Sequence, residues 1–170
     1  VAPVPLTGTA SSDPARATTA VFYSISNCQP GLRGVSLGNF LIKRVAEQLK
    51  RELPQVKTFC TLSPIPGFMA WLTKARPESL PAKTQRAHDE LQAACGDDFA
   101  ALTQSARLVA LPGSAHHALW RLAAHYLVDV SPLVHGDPVA RFHLDNGARL
   151  ERLNAQANLA PKGLKQSAGL

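Results

Sequence analysis

The stretch from Ala20 to Leu62 constrains the fold of this chain more than any other. Ala20–Ser26 carries the strand-favouring residues Val21, Phe22, Tyr23 and Ile25. A loop follows with three glycines in eight residues, Gly31, Gly34 and Gly38. Leu37, Phe40, Leu41, Val45, Leu49 and Leu53 then recur at helical spacing, with Lys43, Arg44, Lys50 and Arg51 largely off that stripe. Pro54 ends the helix. Val56–Leu62 alternates as a second strand and stops at Ser63-Pro64-Ile65-Pro66-Gly67, because two prolines cannot continue a ladder. Pro64 also pushes Ser63 into an extended conformation. A strand, a crossover helix and a second strand predict a parallel pair.

A glycine-rich turn before a helix lets phosphate approach the free backbone N–H groups and the positive end of the helix dipole. The loop from Gly31 to Asn39 is therefore a candidate diphosphate cradle. It is not a Walker A loop, since no Gly-Lys-Ser/Thr follows, and it is not G-x-G-x-x-G. The same glycines would serve equally well in a turn that needs positive φ.

Residues 1–18, rich in Pro, Thr, Ser and Ala, read as irregular, with a short strand at Val4–Leu6. Residues 69–130 read as a helical insert: one piece from Trp71, one from Leu80-Pro81 to Cys95, one over Asp98–Val109 and one capped by Ser114. The last presents Ala115, Ala118, Leu119, Leu122, Ala123 and Tyr126 on one face. Asp137-Pro138 restarts extended chain, and Val139–Leu144 and Ala148–Asn154 flank Asn146-Gly147, a strong hairpin signal. The sum is a mixed α/β fold with a C-terminal β-hairpin. On a strand, His143 would share a face with Val139 and Arg141.

The net charge of +6 favours polyanions, but only 6% of residues are aromatic, and no basic run is interleaved with rings. Nucleic acid is not the expected partner, whereas a phosphate-rich molecule fits. No apolar run reaches the ~20 residues of a membrane-spanning helix. Cys28, Cys60 and Cys95 are odd in number and far apart, so neither a disulfide framework nor a zinc site is expected. His116 and His117 have no carboxylate in register, so no metal is assigned; His88, His125 and His135 read as surface or loop residues, and Trp71 and Trp120 as core.

Arg33-Gly34-Val35-Ser36-Leu37-Gly38 is similar to the CoA loop of GNAT acyltransferases, with Ser36 where their general motif has Gly. A more specific set of blocks is Phe22-Tyr23-Ser24-Ile25-Ser26, Gly31-Leu32-Arg33-Gly34-Val35, Phe40–Val45, Leu62-Ser63-Pro64-Ile65-Pro66-Gly67-Phe68 and Phe142-His143-Leu144-Asp145-Asn146-Gly147-Ala148. In this order and spacing they resemble malonyl-CoA decarboxylase, from about Thr19 to the final Gly163–Leu170 block.

The resemblance implies a GNAT-like catalytic domain over 19–170, cut at both ends. It implies conversion of malonyl-CoA to acetyl-CoA and CO2, in fatty-acid metabolism and without a cofactor. It implies Ser63 and His143 as the active-site pair, and Arg33, Gly34, Val35, Ser36, Leu37, Gly38 and Asn39 as the phosphate loop. Ser24, at the mouth of the loop, is a further candidate for substrate contact. The full-length family member is expected to be a homo-oligomer, in the cytoplasm or alternatively in the mitochondrion or peroxisome.

The chemistry agrees with these residue types. Losing CO2 leaves charge on the α-carbon and the thioester oxygen, and the thioester is its own electron sink. A Ser hydroxyl can donate to the developing enolate or orient the carboxylate. A His can deliver the proton that quenches the carbanion. Two other functions remain open on these residues: an acyl-CoA N-acyltransferase of the same fold, and a CoA-binding fragment without activity.

Overall fold

The computed structural model describes residues 16–23, 38–133 and 136–170. It divides into two compact units, Val1–Leu62 and Ser63–Leu170. The irregular segment 1–15, the remainder of the first strand (24–26) and the glycine loop through Leu37 lie outside the described residues.

In the first unit, β1 (Thr19–Tyr23) and β2 (Thr58–Leu62) pair in parallel, with Thr19 opposite Thr58 and Tyr23 opposite Leu62. The connection includes α1 (Gly38–Glu52), as the crossover pattern predicts. Phe22 stacks on Phe59 across the pair, and Lys50 Nζ lies 5.5 Å from the Phe59 ring centre, closing part of α1 over the sheet.

The second unit is helical. Its elements are α2 (Phe68–Leu72), a 3-10 turn at Pro77–Ser79, α3 (Ala82–Ala94), a 3-10 turn at Phe99–Thr103, α4 (Ser105–Val109), α5 (Gly113–His125), α6 (Pro138–Asp145) and α7 (Pro161–Ser167). The predicted face of α5 is the buried one: Ala115, Ala118, Leu119, Leu122, Ala123 and Tyr126 are all at or below 4% exposure. It packs on α3 and meets Phe68, Leu72 and Leu91 in one core. Ser114 does not cap α5. The cap position is Pro112, whose carbonyl accepts the first helical bond from His116 N–H at 3.1 Å.

The C-terminal β-hairpin is absent: Val139–Leu144 lies within α6, and 148–154 is irregular. Asp137 is the reason at one end. Its carboxylate accepts from Val139 N–H at 2.9 Å and Ala140 N–H at 3.0 Å, and Pro138 takes the first helical position. Asn146-Gly147 is the reason at the other. Ala148 N–H bonds the His143 carbonyl and Gly147 N–H bonds that of Leu144, the paired bonds of a Schellman cap. Gly147 supplies the positive φ of +80° that this cap needs. Asn146 stays at φ −91°, where a two-residue I′ hairpin needs it positive.

Three further expectations change. His88 is buried at 3% exposure, edge-on to Phe99. Trp120 is 38% exposed, whereas Trp71 packs against Phe68 and Tyr126 as expected. His125 is half-buried and joined to Asp129 at 2.7 Å. His135 lies outside the described residues.

Candidate active site

Ser63 leads a short loop into α2. Its own side chain is exposed, but the loop is anchored two residues later by Ile65 and again by Phe68, at 6% and 0% exposure. Between them, Gly67 N–H donates to Asp137 Oδ2 at 2.9 Å. Glycine is required at this position: a Cβ there would lie 2.2 Å from the Tyr126 hydroxyl oxygen.

His143 stands on the last turn of α6, half-buried, with its ring edge-on to Phe142 at 5.2 Å. A helix places it on one face with Val139, four residues back, and removes it from Arg141, which a strand would have put beside it. Its Nε2 lies 2.8 Å from Ser63 Oγ. Either atom can supply the proton of this bond, depending on the imidazole tautomer. Burial pushes the imidazole pKa below its ordinary value, so the ring is neutral at neutral pH.

Behind the pair, Asp137 is 1% exposed. Besides the N–H groups of Gly67, Val139 and Ala140, it accepts from the Tyr126 hydroxyl. Burial, the nearby Asp137 charge and this hydrogen bond push the Tyr126 phenol up to about 12, so it remains a donor. Tyr126 opens a π-helical turn, Tyr126–Val130, closed by a bond from Ser131 N–H to its carbonyl at 2.7 Å. No motif in the sequence marks Asp137 or Tyr126 as a site residue. Asp-Pro ahead of a spaced apolar run is, however, a helix-start signal, and it is the one local sign of what Asp137 does.

The structure therefore brings Ser63 and His143 together. Ser24, Arg33, Gly34, Val35, Ser36 and Leu37 lie outside the described residues. Gly38 and Asn39 form the start of α1, whose first turn holds no acidic residue to compete with an anion. Among the described residues no group of three His, Cys, Asp or Glu side chains could hold a metal ion. No helix among them is long and apolar enough to cross a membrane.

A family model described as the malonyl-CoA decarboxylase C-terminal domain matches residues 1–170. The mitochondrial malonyl-CoA decarboxylase of Anser anser anser is 39% identical over 172 residues, covering 93% of this chain and 34% of that protein. That of Mus musculus is 37% identical over 174 residues, covering 91% and 34%. Among crystal structures, malonyl-CoA decarboxylase from Rhodopseudomonas palustris superposes with a TM-score of 0.63 at 43% identity, covering 91% of this chain and 35% of that one. The enzyme from Agrobacterium vitis gives 0.66 at 46%, covering 90% and 37%. The chain thus spans about a third of the length of the relatives it matches.

Proposed function

This chain belongs to the malonyl-CoA decarboxylase C-terminal domain family, and from that premise we propose that it converts malonyl-CoA to acetyl-CoA and CO2 through Ser63 and His143. The observation that carries the proposal is the 2.8 Å contact between Ser63 Oγ and His143 Nε2.

When the C–C bond to the carboxylate breaks, its electron pair moves onto the α-carbon and the thioester oxygen. Ser63 O–H donates to that oxygen, while Ser63 Oγ accepts from His143 Nε2–H. The chain of donors stabilises the charge as it develops. The Ser63 proton then passes to the α-carbon, making the methyl group of acetyl-CoA, His143 Nε2–H replaces it on Oγ, and the neutral imidazole takes its next proton from water as the next substrate binds. The thioester accepts the electrons, so no cofactor is part of the proposal.

Burial keeps His143 neutral in the free protein. The malonyl carboxylate brings an opposite charge, which favours the imidazolium. Substrate binding therefore loads the proton that the product needs. Once CO2 has gone and the enolate has taken up the proton, both the charge and the proton are spent.

The first unit supports a GNAT-like reading of the fold. Its parallel pair and the start of α1 at Gly38 are the frame in which a loop over Arg33–Asn39 would hold the CoA diphosphate, with Ser24 at its edge. The goose and mouse relatives are named as mitochondrial, which favours the mitochondrial alternative over the cytoplasmic placement. Subcellular fractionation decides between them. A homo-oligomer that binds no nucleic acid completes the proposal.

The test is incubation of the intact protein with malonyl-CoA alone. Release of CO2 and acetyl-CoA without an amine is expected. Strict dependence on an amine acceptor would make the protein an N-acyltransferase instead, and binding of CoA without turnover would make it a binding module.

A further inference from the structure

We propose that Asp137 is a positioning residue for the Ser63–His143 pair: its carboxylate ties the loop carrying Ser63 to the first turn of the helix carrying His143. The kinetic part of this proposal rests on the decarboxylase reading above; the geometric part does not.

A carboxylate at 1% exposure is costly unless its oxygens are satisfied. Here each oxygen serves a different segment of chain. Oδ1 accepts the Val139 and Ala140 N–H groups and caps α6. Oδ2 accepts Gly67 N–H, and the Tyr126 hydroxyl is a fourth donor to the group. Capping alone does not explain an aspartate, because Ser or Asn caps a helix about as well. A single hydroxyl cannot reach both segments. An amide would turn either its NH2 toward the Gly67 N–H or its NH2 toward the cap.

The surroundings are built to the same end. The π-helical turn sets Tyr126, with Ser131 donating to its carbonyl through both N–H and Oγ, at 2.7 and 2.9 Å. Gly67 and Gly136 leave no room for side chains: a Cβ would lie 2.2 Å from the Tyr126 hydroxyl oxygen at one and 2.2 Å from the Ser131 carbonyl oxygen at the other. Three segments therefore converge on one carboxylate. From it the chain runs four residues back from Gly67 to Ser63, and six residues, or about 9 Å of helix, forward to His143. Burial is the cause of the lowered His143 pKa. The carboxylate acts on where the imidazole stands, by fixing the start of α6 against the loop that carries Ser63.

The experiment compares Asp137→Ser, Asp137→Asn and Tyr126→Phe with the parent and with Ser63→Ala, all in the intact protein. It reads kcat and KM for malonyl-CoA, the titration of His143 by NMR of 13C-labelled histidine, and the unfolding midpoint. Asp137→Ser keeps the cap and loses the bridge. It is expected to lower kcat ten-fold or more with KM within two-fold, since misplacement of reacting groups by about 1 Å costs on the order of a hundred-fold. It should shift the His143 titration in the direction seen in Ser63→Ala. Asp137→Asn should follow it, and Tyr126→Phe, which removes one donor and is the variant to rely on if the others fail to fold, should lower kcat two- to five-fold. A purely structural cap would be rescued by Ser. Parent-like kcat and titration in folded Asp137→Ser, or parent-like values in Tyr126→Phe where neither Asp137 variant folds, overturns the proposal. If the parent protein releases no CO2, the decarboxylase reading fails, and the NMR comparison still decides the positioning role.

Discussion

His143 Nε2 and Ser63 Oγ lie 2.8 Å apart although 80 positions of chain separate them. The contact depends on two local devices. One is a loop held down by Ile65, Gly67 and Phe68, and the other is a helix whose start and end are both specified by its own sequence. Such a pair, one member neutral by burial and the other a hydroxyl on the loop into α2, suits chemistry in which charge develops briefly and a single proton must arrive.

Gly67→Ala tests the tightness of that arrangement. The added methyl would meet the Tyr126 hydroxyl at 2.2 Å, so loop, ring or carboxylate must shift. Overpacking of this kind costs about 1–3 kcal/mol. Urea unfolding should show a loss in that range, and turnover of malonyl-CoA should fall further than the unfolded fraction explains.

The titration of His143 predicts a pH dependence of stability. Burial lowers its pKa in the folded protein below the unfolded value of about 6.5. The unfolded chain therefore takes up this proton at a higher pH than the folded one, and stability falls as pH drops through about 6.5 toward the folded pKa. Unfolding midpoints of the parent and His143→Gln between pH 8 and 5 should diverge toward the acid end, with the parent losing more. Parallel curves would contradict the assigned shift.

The apolar face of α5, the parallel β1–β2 pair and α1 are legible in residue spacing alone, because burial on one face leaves a period in the sequence. The pairing of Ser63 with His143 is legible only through family resemblance, since nothing local in a Ser before Pro distinguishes a reacting group from a strand terminator. α6 is not legible as a helix because Asn146-Gly147 is ambiguous: glycine at positive φ serves a hairpin and a helix cap alike. Asp137 holds the deciding information, as a helix cap rather than the start of extended chain. Its role as a bridge involves Gly67 and Tyr126, 70 and 11 residues away, and no sequence period reports a contact of that kind. His88 stands three residues before the buried Leu91 on α3, a helical spacing that its reading as a surface residue overlooked.

Proton uptake on binding is a further consequence of the neutral imidazole. A malonyl thioester that cannot lose CO2 should be bound with uptake of up to one proton at pH 7.5, and acetyl-CoA with almost none. Calorimetry in buffers of different ionisation enthalpy measures this directly. Equal uptake for both ligands, or none for either, would remove the substrate-loaded proton from the mechanism.

The most direct test of the Ser63–His143 pair is the rate of CO2 release from malonyl-CoA by the intact protein and by Ser63→Ala, His143→Ala and the double variant. Loss of a donor to a developing oxyanion, or of a general acid, costs about 10²–10⁴-fold. Each single variant should fall by that order, and the double variant should fall little further, because the two groups act as one unit. Full rate in both single variants would contradict the account.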